Sequence, residues 1–242
     1  MHPESVRYMR ECLDTHAADQ PPGRVLDVGA WSPVGKFRQI WEGAGWDYVG
    51  LDMELRENVD VALEDPWLFP FEDASFDAVI SGQMMEHNEF FWLSFMEMAR
   101  VLKMGGLMIH IAPSRGRQHR APQDCWRFYR DGMTALARWS GCEIVEATTD
   151  WDPAHVAEYA AVNPRKAARL KKTLRTENTI WGDTVGVFRK VVETRHALGT
   201  SYMRQLADRA EGGIGAPKAK PKPKPKTKTA KKPVAAVRKK AG

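Results

Sequence analysis

The sequence predicts an α/β fold: a doubly wound, mostly parallel sheet with helices on both faces. Three observations carry this. Short apolar runs at Val25–Val28, Tyr48–Leu51, Phe76–Ser81 and Leu107–Ala112 alternate with stretches whose apolar residues recur at helical spacing. The first run stops at Gly29 and leads into a helical pattern, and the second ends on an acid, Asp52. Glycine or proline punctuates nearly every junction, including Gly43, Gly45, Gly82, Gly105, Gly106 and Pro113.

In chain order, residues 3–18 place Val6, Met9, Cys12 or Leu13, and His16 or Ala17 at helical spacing, with His2 and His16 facing solvent. Gln20-Pro21-Pro22-Gly23 breaks this helix before the first strand. Ser32 and Pro33 read as N-cap and first residue of a helix running from Val34 to Trp41. Residues 59–62 form a short strand, and residues 72–75 a turn before the strand from Phe76. A helix from Glu89 to Leu102 puts Phe91, Phe95, Met98, Val101 and Leu102 on one face, and Lys103-Met104-Gly105-Gly106 ends it with glycines suited to a left-handed cap. After the strand at Leu107–Ala112 come a helix over 130–139, a strand over 141–148, a helical Ala/Lys/Arg-rich stretch over 152–174 and an alternating strand over 184–191. Residues 192–209 suit a terminal helix, and 152–180 suits a lid or insertion.

At 242 residues the chain can bury one full core with an appendage. We expect a domain over 1–215, its core about 24–192, and a tail over 216–242. The net charge of +5 hides an asymmetry: the tail holds eleven Lys/Arg and no acid, leaving 25 basic and 31 acidic residues in 1–215, a net of −6. Alternating Pro and Lys with no large apolar side chain predicts a disordered, polyproline-leaning tail, either a plain flexible appendage or a non-specific contact for phosphate backbones. Cys12, Cys125 and Cys142 are odd in number and lack metal spacing, so neither a disulfide frame nor a zinc site is expected, and no metal. No apolar signal core or membrane-length run is present, which predicts a cytoplasmic protein with no membrane partner and leaves oligomeric state open.

Strand, glycine turn, helix, and strand with a terminal acid make a βαβ unit over 24–52 that suits an adenosine ribose, since two vicinal hydroxyls can donate to one carboxylate. A nicotinamide dinucleotide brings a pyrophosphate, which calls for G-x-G-x-x-G and available N–H groups. Here Ala30-Trp31-Ser32-Pro33-Val34 follows Gly29, the later glycines are missing, and Pro33 has no N–H. S-adenosylmethionine (SAM) carries no phosphate, so the loop favours it. Trp31 reads as a packed wall of that loop.

Four blocks then carry a family resemblance: VLDVGAWSPVG, YVGLD, LEDPWLFPFEDASFDAVISGQMMEH and RVLKMGGLMIHIAP. In their order, and in the spacing of Pro70-Phe71, Ser75-Phe76-Asp77, Glu86-His87, Arg100-Val101-Leu102 and Gly105-Gly106, the chain resembles the class I SAM-dependent methyltransferases of the type 11 group. The likeness is good over 24–113 and weak to about 192; it departs at Trp31, where that group usually has a second glycine. It implies a Rossmann-like sheet of seven strands, the last antiparallel. It also implies that Asp27 and Gly29 lie beside the methionine portion, that Asp52 binds the ribose, and that Asp65 meets the adenine amino group with Pro66 and Trp67 near the ring. Ser81, Gly82 and Gln83 would close the pocket.

The region after the fifth strand, Ser114 to Tyr129, usually decides the acceptor in such folds. His119, Asp124, Trp126 and Arg127 are the candidates here, with His119 a possible proton acceptor and Trp126 and Tyr129 possible floors for a sugar or planar ring. The alternative is a structured loop with Trp126 and Phe128 buried and its arginines solvated. Glu86 and His87 read as a capping pair for the next helix. The function expected is methyl transfer to a small-molecule or glycan oxygen or nitrogen. The rivals are a nucleic-acid methyltransferase recruited by the tail, which the absence of [DNS]-P-P-[FYW] and Pro-Cys segments disfavours, a scaffold without catalysis, and, more distantly, an NAD-dependent oxidoreductase.

Overall fold

The computed structural model describes residues 3–32, 35–120, 122–149, 160–161, 164–165 and 181–193. The expected stretch over 152–180 lies largely outside these residues, and the terminal helix and the basic tail lie outside them almost entirely.

The helices are α1 (Pro3–His16), α2 (Lys36–Gly43), α3 (Phe91–Val101) and α4 (Arg130–Ser140). The strands are β1 (Arg24–Val28), β2 (Asp47–Asp52), β3 (Val61–Ala62), β4 (Phe76–Gly82), β5 (Leu102–Arg115), β6 (Cys142–Thr149) and β7 (Gly182–Lys190). A 3-10 turn spans Met85–His87. One seven-stranded sheet runs in the order β3-β2-β1-β4-β5-β7-β6. The pairs from β3 to β5 are parallel, and β7 is antiparallel to both β5 and β6. The expected α/β sheet, with its antiparallel last strand, is therefore present.

The two-residue period of a strand divides the core. On β5, Leu107, Ile109 and Ile111 point to one face, where Tyr8, Met9, Phe37, Ile40 and Trp41 of α1 and α2 pack. Met108 and Ala112 point to the other, against Phe95, Met98, Met133 and Leu136 of α3 and α4. Because both faces are covered, the central strands read as continuous apolar runs rather than alternating ones.

Several boundaries and placements differ from expectation. Helix α2 begins at Lys36 with Gly35 as its left-handed cap (φ 57°), not at Ser32-Pro33; Ser32 Oγ instead accepts from Gly35 N at 3.2 Å. The strand over 59–62 shrinks to Val61–Ala62, with Asp60 N still donating to Gly50 O of the neighbouring strand at 2.8 Å. Helix α3 ends at Val101, and β5 starts at Leu102 without an intervening glycine cap; Gly105 (φ 74°) sits inside β5, where the register jumps from Phe76↔Leu102 to Ala78↔Leu107. The glycine allows the strand to carry the extra residues of that irregularity. His16 is not solvent-facing: its Nε2 lies 2.9 Å from Glu146 Oε2, with 14% of the side chain exposed.

Candidate functional site

The C-terminal ends of β1, β2 and β4 meet on one edge, as expected for ligand binding at the crevice of a parallel sheet. The loop leaving β1 is folded onto β2 by its own backbone. Gly29 N and Ala30 N both donate to Leu51 O, at 2.9 and 3.1 Å. Trp31 N donates to Asp52 Oδ2 at 2.9 Å. Those N–H groups, which a pyrophosphate would require, are already satisfied within the loop. Gly29 has φ 84°, and a Cβ there would fall 2.5 Å from Met84, so this turn requires glycine.

Asp52 ends β2, half-buried, with Oδ1 accepting from Met53 N at 2.7 Å and Oδ2 from Trp31 N. Each oxygen keeps a second lone pair for a ligand hydroxyl. Trp31 itself is 48% exposed with the Arg56 guanidinium over its ring, rather than packed as a wall.

Asp27, on β1, is buried, and the Tyr48 hydroxyl donates to its Oδ2, while Oδ1 has no partner among the described residues. Burial pushes this carboxyl up to about 7, despite the Tyr48 hydrogen bond. A carboxyl raised this way holds its proton in the folded chain between about pH 4 and 7 but not in the unfolded one, so stability falls as pH rises through that window. Asp27→Asn is expected to flatten the pH dependence of stability between pH 5 and 7.5, by at most about 1.4 kcal/mol per pH unit. Urea unfolding at several pH values checks this; parallel profiles for the two proteins would contradict it.

Asp65 Oδ1 accepts from Trp67 N at 2.8 Å, fixing the turn through Pro66, whose carbonyl accepts from Ser94 Oγ. Trp67 is turned inward, only 6% exposed, with its ring on Phe90 and Nε1 donating to Asn88. It can brace a pocket wall from behind but cannot present a ring face to it. Ser81 is fully buried at the end of β4, its Oγ without a partner among the described residues. Gln83 follows with φ 58°, a conformation a non-glycine residue adopts only when its surroundings hold it there. Its Nε2 donates to Asp183 Oδ1 at 3.0 Å and to Ser5 Oγ at 3.2 Å, tying β4 to β7 and α1.

The chain after β5 is fastened to the 3-10 turn that follows Gln83. Cys125 N donates to Glu86 O at 2.7 Å, Gln123 Nε2 to His87 O at 2.9 Å, and Trp126 Nε1 to Asn88 O at 3.0 Å. Within this loop Asp124 is turned inward. It accepts from His119 N at 2.8 Å and from Arg127 Nη1 and Nη2 at 2.6 and 2.8 Å. The Arg127 hydrogen bonds, ahead of other causes, hold Asp124 down to about 2. Asp124 and Arg127 are thus committed to one another as an anchor for the loop. Trp126 is 38% exposed and Phe128 is buried, while Tyr129 is 55% exposed.

His119 sits edge-on between His87 and Trp181, with ring centroids at 4.8 and 4.7 Å. Burial lowers its pKa, so the ring is neutral at pH 7 and holds a lone pair. Glu86 and His87 are not a helix cap. His87 Nδ1 is hydrogen-bonded to Gln123 O, and Glu86 is fully buried, its carboxyl raised to about 8 by burial. Reading them as a cap missed their proximity to His119, because the contact spans a strand, a helix and a loop.

Residues 26–110 match the family model described as a methyltransferase domain. The match places a methyltransferase domain over these residues. A demethylmenaquinone methyltransferase from Roseiflexus castenholzii is 26% identical over 142 residues, covering 53% of this chain; the chain spans about 60% of that relative's length. Among solved structures, a putative sarcosine dimethylglycine methyltransferase from Galdieria sulphuraria superposes with a TM-score of 0.55 at 19% identity, covering 78% of this chain and 86% of the other. Burkholderia thailandensis 1,6-didemethyltoxoflavin-N1-methyltransferase, with its acceptor and S-adenosylhomocysteine bound, gives 0.54 at 16% identity, covering 78% and 79%. The [4+2]-cyclase SpnF gives 0.52 at 18%, covering 77% and 82%, so the fold by itself does not fix the reaction. The methyltransferase-domain match ends at Ile109-His110, before the loop that carries His119, Asp124, Trp126 and Arg127.

Proposed function

We propose that this chain transfers the methyl group of SAM to an oxygen or nitrogen of a small-molecule or glycan acceptor. One observation carries the choice of cofactor: the N–H groups of Gly29, Ala30 and Trp31 are satisfied by Leu51 and Asp52, which suits an adenosine ligand without phosphate and not a dinucleotide. Asp52 would hold the ribose, Asp27 and Gly29 would line the methionine portion, and Asp65 and Pro66 would face the adenine. Ser81 and Gln83 would close the inner wall. The lining fits a phosphate-free ligand with polar groups to offer: Asp27 Oδ1 and Ser81 Oγ are buried polar atoms without partners among the described residues.

Bound SAM supplies an electrophilic methyl group, and the protein's part is orientation, worth on the order of 7–11 kcal/mol in well-aligned systems. For a hydroxyl acceptor, His119 is the group to take the proton. It is neutral near pH 7, and its backbone is fixed by Asp124. Trp126 and Tyr129, both partly exposed, offer flat apolar surface to an acceptor ring or sugar. The relatives' acceptors differ widely in chemistry, which fits an acceptor set by the loop after β5.

The test is calorimetric titration of the 242-residue chain with SAM and with NAD. Saturable SAM binding with none for NAD is the expected result. Absence of SAM binding would favour a scaffold without catalysis.

A further inference from the structure

The 3-10 turn and the loop after β5 bring together a group of side chains that neither stretch announces alone. One ligand atom each from Glu86, His87 and His119 lies within 4.8 Å of the others. Glu86 is 0% exposed, and neither of its carboxylate oxygens accepts a hydrogen bond from another described residue. His87 Nε2 stands 3.6 Å from Glu86 Oε1. A buried carboxylate beside two imidazoles, with no hydrogen-bond donor from another described residue, is an unmet demand for a proton or a cation.

We propose that Glu86, His87 and His119 bind a divalent transition-metal ion, zinc or a cation of similar softness. Two imidazoles and one carboxylate are a donor set that zinc accepts, and three protein ligands leave a fourth position open. Bonds of about 2.1 Å at tetrahedral angles put ligand atoms roughly 3.4 Å apart, so the His87–Glu86 pair already has the spacing and His119 needs only a small approach.

The surroundings support the same reading. The His87 Nδ1 hydrogen bond to the Gln123 carbonyl sets the ring so that Nε2 presents a lone pair, the outer contact that commonly orients a ligating histidine. Cys125 N and Gln123 Nε2 tie the two segments together, so the three ligands are held before any ion arrives. Asp124 is neutralised by Arg127, while Asp183, buried nearby and bonded to Ser5 and Gln83, adds negative charge to Glu86's surroundings. Cysteine spacing gave no hint of this site because no cysteine belongs to it.

The site stands beside the methyl-transfer reading rather than on it. An ion here would compete for the ring that proton acceptance needs, so zinc loading and the base role of His119 are alternatives.

The 242-residue chain, stripped with chelator, is titrated with cobalt(II) as a spectroscopic stand-in for zinc, and zinc uptake is measured by calorimetry. We expect one equivalent bound, with affinity falling at least about a hundredfold in Glu86→Gln, His87→Ala and His119→Ala and unchanged in His16→Ala. Glu86→Gln is near-isosteric and keeps the test valid if a histidine variant misfolds. No binding, or equal binding by all variants, would overturn the site. SAM titration of the same samples separates the two proposals: SAM binding without cobalt binding removes only the metal site, and the reverse removes only the cofactor assignment.

Discussion

Glu97→Ala is expected to destabilise the fold by about 3–5 kcal/mol, the largest single effect that these contacts support. Glu97 is fully buried on α3 and takes both Arg100 Nε, at 2.9 Å, and Arg100 Nη2, at 2.6 Å. Its Oε2 also accepts from Phe69 N at 2.9 Å. Arg100 in turn donates to the carbonyls of Phe71 and Phe69, at 2.7 and 3.0 Å, so the pair fastens α3 to the segment leading into β4. Removing the carboxylate leaves a guanidinium with 7% of its side chain exposed and no buried counter-charge, and it orphans the Phe69 N–H. Asp73 also pairs with Arg100 but is 71% exposed, so Asp73→Ala is expected to cost under about 1 kcal/mol. Urea unfolding of both variants checks the contrast. A loss below 1 kcal/mol for Glu97→Ala would mean that the neighbouring carbonyls alone satisfy Arg100.

Asp52→Ala is expected to weaken SAM binding about a hundredfold. Two hydrogen bonds from ribose hydroxyls to an ionised acceptor are worth about 1.5 kcal/mol each at the low end, or roughly 3 kcal/mol together. The same carboxylate receives Trp31 N and Met53 N, so the substitution also releases the loop after β1. Asp52→Asn separates the two contributions, since it keeps one acceptor oxygen and nearly the same shape. Calorimetric titration, with circular dichroism to confirm folding, reads the outcome. Affinity within threefold of the parent would remove Asp52 from the ribose site.

Much of the fold was legible because its signals are local. The apolar runs of β1, β2, β4 and β5 are short, bounded by glycine or proline, and separated by helical spacing. The boundaries that failed have a common cause in distant backbone bonding. Ser32-Pro33 has good capping chemistry, but α2 starts at Lys36, after Gly35, because the loop is pinned first to Leu51 and Asp52. Gly105 has the conformation expected of a cap, yet pairing with β4 claims Leu102 for the sheet before the glycine is reached. His16 reads as a surface residue on α1 until Glu146 of β6 is placed beside it.

The site divides along the same line. The α/β class was legible from the alternation of runs along the chain, and the terminal acid Asp52, the glycine turn at Gly29 and the lack of a pyrophosphate fingerprint from residues within one βαβ unit. Folding, not local pattern, settles that the loop's N–H groups are already bonded, that Trp67 faces inward, and that Asp124 anchors Arg127 rather than standing open. It alone placed Glu86 and His87 against His119. Each of those facts is a side-chain or backbone contact that the apolar pattern does not specify, and the His87–His119 contact in particular is set by sheet order and register rather than by the local pattern of either segment.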